Sequence, residues 1–300
     1  MYVITGATGN TGSVVARALL AKGQSVRVIG RSAERLKDFA ARGAEAVVCD
    51  MEDEAALTKA FTGAHAVYAM IPPDPTSGDY RGHQDDIADS VAEAIAKAGV
   101  RHAVVLSSFG ADKPSGTGPV AGLYGLEQQL NGIRDTNFLY LRAGYFMENT
   151  LAQIGIIKQM GVAAGPLRGD LKLPLIATRD IGAVAAEELL KLDFSGHQTR
   201  ELQGQRDVTM NEAASIIGNG IEKPDLQYVK APDDQVRMGM LSMGLSANFV
   251  DLILEMSGAL NSGYMRTLEP RNASNTTPTS YETFVKEAFV PRYSGKAAGA

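Results

Sequence analysis

The residues with the plainest chemistry stand at the start of the chain, in Gly6-Ala7-Thr8-Gly9-Asn10-Thr11-Gly12. A short β-branched run, Tyr2-Val3-Ile4, leads into them, and an Ala/Leu-rich helical pattern from Ser13 to Leu20 follows at once. Gly6 permits a tight turn off a strand, and Gly9 lets the backbone approach a pyrophosphate with no side chain in the way. Gly12 allows close helix–strand packing. The following helix aims its first N–H groups and the positive end of its dipole at the phosphates. A glycine triplet is also what an ordinary tight strand–helix turn needs. The strand before it and the helix after it favour dinucleotide binding.

The end of the second strand bears on which dinucleotide. An NAD binder carries an acid about 20 positions past the glycine turn, where it bonds the ribose 2′-OH. Here that place reads Gly30-Arg31-Ser32, with no acid. An arginine there clamps a 2′-phosphate bidentately and stacks on adenine, and Arg35 follows one helical turn later. The alternative is a solvated arginine at a helix start, a place that mildly disfavours cations. The missing acid favours NADP(H) over NAD(H). Asp50, closing the third strand, either meets the adenine amino group or caps the next helix.

These residues need a scaffold, and the pattern supplies one. Strand-like runs at 24–30, 44–50, 64–71, 101–108 and 137–142 alternate with helical runs at 32–40, 54–61, 85–99 and 120–133. That alternation predicts an α/β fold: a Rossmann-type, doubly wound parallel sheet covered on both faces. Beyond Gly144 the alternation loosens. A strand at 173–178 leads into a helix at 180–192, and strands at 200–203 and 226–229 flank a helix at 211–217. We expect a dinucleotide-binding domain over residues 1–150, also receiving segments near 175–205, and a smaller α/β substrate or lid part over 151–300. Met238 to Leu260, rich in Met and Leu, reads as helices that either pack in the core or form a lid over an apolar substrate. Ser294 to Ala300 reads as a disordered tail.

Composition bounds the partners. With 300 residues, 45% hydrophobic, the chain can build a substantial core. A formal net charge of −5 without charge runs points away from nucleic acid and anionic membrane. The single cysteine, Cys49, ends an apolar run and reads as a buried hydrophobe, which excludes an intrachain disulfide and fits a reducing, cytoplasmic setting. No apolar run reaches spanning length. The partner expected is a small-molecule substrate; a homodimer is left open.

Three further stretches narrow the class. The glycine motif, the Gly30-Arg31-Ser32 turn and Leu106-Ser107-Ser108-Phe109-Gly110-Ala111 resemble the atypical short-chain dehydrogenase/reductase superfamily. Leu141-Arg142-Ala143-Gly144-Tyr145-Phe146-Met147-Glu148-Asn149 and Ala177-Thr178-Arg179-Asp180-Ile181-Gly182 resemble its NmrA-like group, over roughly residues 1–200. That group includes NADPH-dependent quinone and azo-dye reductases and regulators that bind the dinucleotide without turning it over. The resemblance implies that Gly6, Thr8, Gly9, Asn10, Thr11 and Gly12 hold the pyrophosphate, and that Arg31 with Ser32 takes the 2′-phosphate. Met70, Ile71 and Pro72 then pass beside the nicotinamide half, and Ser107 and Ser108 lie at the carboxyl end of the central strand. Tyr145, Phe146 and Asn149 line the substrate side.

The pattern departs from the superfamily in one place. Typical members pair a tyrosine with a lysine four residues on, which lowers the phenol pKa. Here Tyr124 is followed by Gln128, and no tyrosine in the chain has the lysine. Tyr124 is either a weak proton donor or an ordinary helix-face aromatic. Quinone reduction asks less of the protein, because the cofactor brings the hydride and the site mainly stacks and excludes water. Of four histidines, only His83, after the Pro72-to-Gly78 loop, reads as close to substrate. No His pairing suggests a metal, and no Gly-x-Ser-x-Gly elbow suggests a hydrolase. The expected function is NADPH-dependent hydride transfer to a quinone or similar conjugated molecule. The alternative is a non-catalytic NADP(H)-binding redox sensor of the NmrA type, and a sugar-nucleotide epimerase ranks below both.

Overall fold

The computed structural model describes residues 1–296. Its strands in chain order are β1 (Tyr2–Ile4), β2 (Val26–Gly30), β3 (Glu45–Val48), β4 (Ala66–Ala69), β5 (His102–Ser108) and β6 (Asn137–Ala143). They continue with β7 (Tyr145–Phe146), β8 (Ala163–Gly165), β9 (Lys172–Ile176), β10 (His197–Leu202), β11 (Asp207–Thr209) and β12 (Tyr228–Lys230). The helices are α1 (Gly12–Ala21), α2 (Ala33–Ala41), α3 (Glu54–Phe61), α4 (Tyr80–Ala98) and α5 (Val120–Leu130). After them come α6 (Gln153–Met160), α7 (Thr178–Lys191), α8 (Met210–Gly220), α9 (Asp233–Ser242) and α10 (Ala247–Ser262). A last helical stretch covers 281–293, with a π turn at Val285–Phe289 in its middle.

Seven strands form one sheet in the order β10-β6-β5-β4-β1-β2-β3, every neighbouring pair parallel. The Rossmann-type α/β reading therefore holds. Each central strand is apolar on both faces, because helices cover both. Along β1, Ile4 turns to the core shared with Val15 and Leu19 of α1 and Ile181 and Leu189 of α7. Val3 turns to the opposite core, with Leu57 of α3, Ile87 and Val91 of α4 and Leu126 of α5. This is the two-residue period of a strand sorting its side chains between two layers.

A third core belongs to the C-terminal part, built from Met147, Leu173, Leu175, Ile217, Tyr281 and Phe289 among others. Its strands form a β11-β9-β7 sheet and a β12-β8 ribbon. The strand expected at 200–203 leaves this part and becomes β10, the outer strand beside β6. Met238 to Leu260 divides: α10 buries Val250, Ala259 and Leu260, whereas α9 buries nothing. The expected tail lies outside the described residues beyond Lys296; before that, Lys296 folds back to donate its N–H to the Pro291 carbonyl. No helix of the described residues is long and apolar enough to cross a membrane.

Candidate active site

The cleft opens where the strand order reverses, between β1 and β4. Gly6 leaves β1 at φ +58°, and a Cβ there would lie 2.6 Å from Met70 Sδ. Gly9 donates its N–H to the Gly6 carbonyl at 2.9 Å, and a Cβ on Gly12 would collide with that same oxygen. Gly9 is roomier, with its would-be Cβ 3.2 Å from the Gly6 oxygen. The turn is therefore closed to side chains at both ends for its own packing, and open at Gly9 toward the cleft.

Thr11 corrects one expectation. It occupies the N-cap of α1 yet gives that helix no side-chain cap; its buried hydroxyl accepts a hydrogen bond from the Tyr68 phenol at 2.9 Å. The Thr11 side chain thus braces the turn from beneath. No side chain caps α1; the Ser13 N–H donates to the Gly9 carbonyl at 3.2 Å and the Val14 N–H to the Thr11 carbonyl at 3.0 Å, while the helix N-terminus stays free of side chains, as an anion site requires. Thr8 and Asn10 complete the loop, Thr8 half-buried and Asn10 exposed.

The second wall comes from the end of β2. Ser32 caps α2, accepting the Arg35 N–H at 3.4 Å, so its hydroxyl is engaged locally. The Arg35 guanidinium donates to the Thr8 carbonyl at 3.0 Å and ties α2 to the glycine loop. Arg31 is exposed on the same cavity, which encloses about 360 Å³ and is also lined by Gly6, Gly9, Asp50 and Met70. Asp50 does not cap α3. That place belongs to Asp53, which accepts the Ala56 N–H at 3.0 Å, and Asp50 holds only a local turn through Glu52 N–H at 3.2 Å. Cys49 is buried below it; burial first, then Asp53 and Asp50, push its thiol up to about 11. Such a thiol is inert, as expected of a packing cysteine.

His83 lies on this same cavity, beside Pro72 and Pro73 and together with the glycine turn and Arg31. Its Nδ1 is 2.7 Å from Glu52 Oε1 and its Nε2 is 3.2 Å from the Pro72 carbonyl. The reason is the early start of α4, at Tyr80 and not Asp85, which carries His83 into the first turn of the helix beside the β3–α3 connection. Ile71 is buried next to Pro72.

Ser107 is the second correction. It is buried and donates to Glu127 Oε1 at 2.6 Å, so its hydroxyl is turned into α5. Glu127 in turn holds Arg142 of β6, with Nε at 3.0 Å and a terminal nitrogen at 2.5 Å. A buried bidentate pair thus forms the floor at the end of β5 and β6. Glu127 is the only charged residue of α5 and Arg142 the only one of β6. Two opposite charges, each alone in an apolar element, were the available signal for this pairing. Ser108 is half-buried, its hydroxyl turned to the Phe109 carbonyl at 3.0 Å.

Tyr124 stands on α5 one turn ahead of Glu127, half-buried, while Gln128 is exposed. Lys113 is engaged elsewhere, against Asp112 and 5.7 Å over the Tyr264 ring. Tyr145 and Phe146 form β7 and face opposite ways: Tyr145 packs on the C-terminal core and Phe146 on the sheet core. Burial raises the Tyr145 phenol pKa, while a hydrogen bond with Asn149 partly offsets it. Asn149 itself is exposed. Over the segment that follows β4 lies the α9–α10 pair. Ser246 N–H donates to the Pro75 carbonyl at 2.9 Å, Asn248 Oδ1 accepts the Tyr80 N–H at 2.8 Å, and Phe249 packs on Tyr80 at 4.9 Å.

Comparison with known proteins bears on this site. The NmrA-like family model matches residues 2–285. An NAD(P)H azoreductase of Xenophilus azovorans is 27% identical over 260 residues, covering 85% of this chain and 86% of the relative. A (4-alkanoyl-5-oxo-2,5-dihydrofuran-3-yl)methyl phosphate reductase of Streptomyces griseus is 31% identical over 246 residues, covering 81% of each. In fold, the chain is similar to the Citrobacter sp. triphenylmethane reductase crystallised with NADP(H), at TM-score 0.81 and 18% identity, with 96% of this chain and 100% of that one covered.

Proposed function

The chain belongs to the NmrA-like family, and from that premise we propose that it is an NADP(H)-dependent reductase of a quinone or similar conjugated acceptor. The observation that carries the reading is the joint between the glycine turn and Arg31 on one cavity. Both relatives above are reductases, and the named acceptors, an azo compound and an unsaturated alkanoyl lactone, are conjugated.

The residues fit the dinucleotide. A Cβ at Gly12 would collide with the Gly6 carbonyl and one at Gly6 would be strained by its positive φ and press on Met70, α1 begins without a side-chain cap, and an exposed arginine follows β2 where an acid would serve NAD. In this reading Gly6, Thr8, Gly9 and Asn10 hold the pyrophosphate through the backbone, Arg31 takes the 2′-phosphate, and Asp50 faces the adenine. Bound there, the dinucleotide supplies a hydride. The protein's own share is positioning and exclusion of water. Met70 and Pro72 form one wall, Tyr145 and Phe146 the opposite side, and α9–α10 the cover. Tyr124, with no lysine four residues on, serves as a phenol hydrogen-bond donor to the acceptor. A conjugated acceptor suits such a site, because its reduced form holds negative charge by delocalisation.

Loss of the NADPH absorbance band with a panel of quinones and azo compounds tests the reading. Turnover with these acceptors, reduced at least about tenfold in Tyr124→Phe, is the expected result. Tight NADPH binding without turnover of any acceptor would replace it with the sensor reading.

A further inference from the structure

We propose that His83 is a positioning residue of the dinucleotide cavity whose second ring proton holds the Pro72 wall in place, so that cofactor binding weakens as that proton leaves. The inference rests on the reading of the cavity given above. His83 lines that cavity together with Gly6, Arg31 and Pro72. Its ring is mostly enclosed, at 15% side-chain exposure, and stands between two acceptors from different elements. Nδ1 is 2.7 Å from Glu52 Oε1, in the connection after β3, and Nε2 is 3.2 Å from the Pro72 carbonyl, in the segment after β4. A carboxylate and a carbonyl only accept hydrogen bonds. An imidazolium donates from both nitrogens, whereas a neutral ring has one N–H and one lone pair. The neutral ring therefore satisfies one partner and turns a lone pair on the other. The Glu52 contact is shorter and charge-assisted, so Pro72 is the partner given up.

Pro72, Pro73 and Pro75 have no N–H, so their segment is fixed through its carbonyls. That of Pro72 is held by His83, and that of Pro75 accepts the Ser246 N–H at 2.9 Å. Glu52 is fixed from behind, its carbonyl accepting the Ser90 hydroxyl of α4 at 2.9 Å. The ring itself is carried by the first turn of α4, where the His83 N–H donates to the Asp79 carbonyl at 3.1 Å. Charges of both signs surround it. Glu52 and Asp50 after β3, Asp74 after β4, and Asp79 and Asp86 of the α4 stretch favour the second proton. Arg31 and Arg35 on the cavity and the N-terminal end of α4 oppose it, while Arg81 and Asp85 pair with one another. Tyr80, its ring 6.4 Å away, and Cys49 stay neutral, because burial pushes them up to about 12 and about 11. Imidazole is the side chain whose charge changes in the neutral range, so a clasp of this kind works near physiological pH.

The test is NADPH binding by calorimetry at about pH 6 and about pH 8.5 in the wild type, His83→Gln and Glu52→Gln, with the His83 ring followed by NMR. Glutamine offers an amide N–H at every pH, so His83→Gln subtracts the titration of the cofactor's own phosphates. Between the two pH values the wild-type Kd is expected to rise about three- to tenfold more than that of His83→Gln, as loss of one hydrogen bond implies. The midpoint of that extra rise should coincide with the midpoint of the His83 ring. Glu52→Gln sharpens the test, because its amide donates to Nδ1 of the neutral ring and leaves the Nε2 proton for Pro72. That variant should escape the extra loss at high pH, which a merely structural histidine does not explain. Should His83→Gln not fold, the wild type against Glu52→Gln decides alone. Equal pH profiles in the wild type and His83→Gln, or the wild-type loss persisting in Glu52→Gln, overturns the proposal alone. No NADPH binding by the wild type at either pH overturns the reading of the cavity, and the proposal with it.

Discussion

The carboxylate of Glu148 closes on Thr178, accepting its backbone N–H at 3.1 Å and its hydroxyl at 2.6 Å. The residue before Thr178 is Ala177, which has no side chain with which to cap α7, so Glu148 does it from thirty positions away in sequence. Two residues on, Asp180 accepts the N–H and the hydroxyl of Thr279. The two segments that most resemble the NmrA-like group thus meet each other and draw in the C-terminal stretch. Their charged residues hold the joint between the sheet and the C-terminal part.

Glu148→Ala should cost about 1–3 kcal/mol, since it removes a helix cap and leaves the donors of the buried Thr178 without their acceptor. The pH dependence has a defined sign. Burial is the largest influence on Glu148 and raises its pKa, against the lowering by Thr178 and Arg179. A raised carboxyl binds its proton more tightly folded than unfolded. Stability is then greatest below the ordinary glutamate pKa and falls as pH rises through the raised one. Thermal melts across the acidic range, compared with Glu148→Gln, check this. The glutamine variant should lose that slope.

Breaking the buried pair at the sheet floor should be more damaging. Glu127→Ala leaves Arg142 and Ser107 without their shared acceptor in a closed site, a loss of about 3–5 kcal/mol. Replacing Arg142 by leucine at the same time removes the stranded charge and should recover part of it. Urea midpoints of the two single variants and the double variant measure the coupling. Additive losses would show that the pair does not act as a unit.

The sheet was legible because its central strands are apolar on both faces and its helices carry an apolar stripe, so pattern alone sorts β1 to β6 and α1 to α5. The cavity residues Gly6, Gly9 and Arg31 were legible because their types have few other uses at those places. What stayed hidden has the opposite character. The hydroxyls of Thr11 and Ser107 point inward only because Tyr68 and Glu127 arrive from other elements. The place of His83 turned on where α4 begins, and Asp79, which caps it by accepting the Gly82 N–H at 2.9 Å, sits in a loop with several other cap-competent residues. The two-residue β7 and three-residue β8 are too short to leave a periodic trace.

Two of the glycines should separate folding from binding. At Gly12 a Cβ would collide with the backbone of Gly6 and Thr5, so Gly12→Ala must shift the turn and should lower stability as well as cofactor affinity. At Gly9 the nearest atom to a Cβ is the Gly6 oxygen at 3.2 Å, a contact the loop relieves by a small movement. Gly9→Ala should therefore melt within about 1 kcal/mol of the wild type while binding NADPH at least about tenfold more weakly, because its methyl stands in the pyrophosphate space. Melting temperature and calorimetric titration, run side by side, distinguish the two. Parallel losses in Gly9→Ala would move the pyrophosphate away from this turn.

Little of α9 is buried, and that makes the cover we propose for the cleft separable as well. Helix α9 buries none of its residues, and Met238 and the adjoining Met243 are 70% and 65% exposed. The C-terminal half of α10 is anchored in the C-terminal core by Ala259 and Leu260, and its start is tied to the segment before α4: Ser246 on the Pro75 carbonyl, Asn248 on the Tyr80 N–H, and Phe249 against the Tyr80 ring. Asn248→Ala removes one hydrogen bond, worth about 1 kcal/mol, and leaves the Ser246–Pro75 bond and the Phe249–Tyr80 ring contact to hold the start of α10. A segment with so little buried surface has a local opening free energy far below that of the sheet, so this loss weighs heavily on it and lightly on the whole. We expect proteolysis across 233–246 to quicken and the KM for the acceptor to rise severalfold, with the melting temperature and the NADPH Kd nearly unchanged. A Kd that rises in step with KM would mean that α9 and α10 cover the dinucleotide as much as the acceptor.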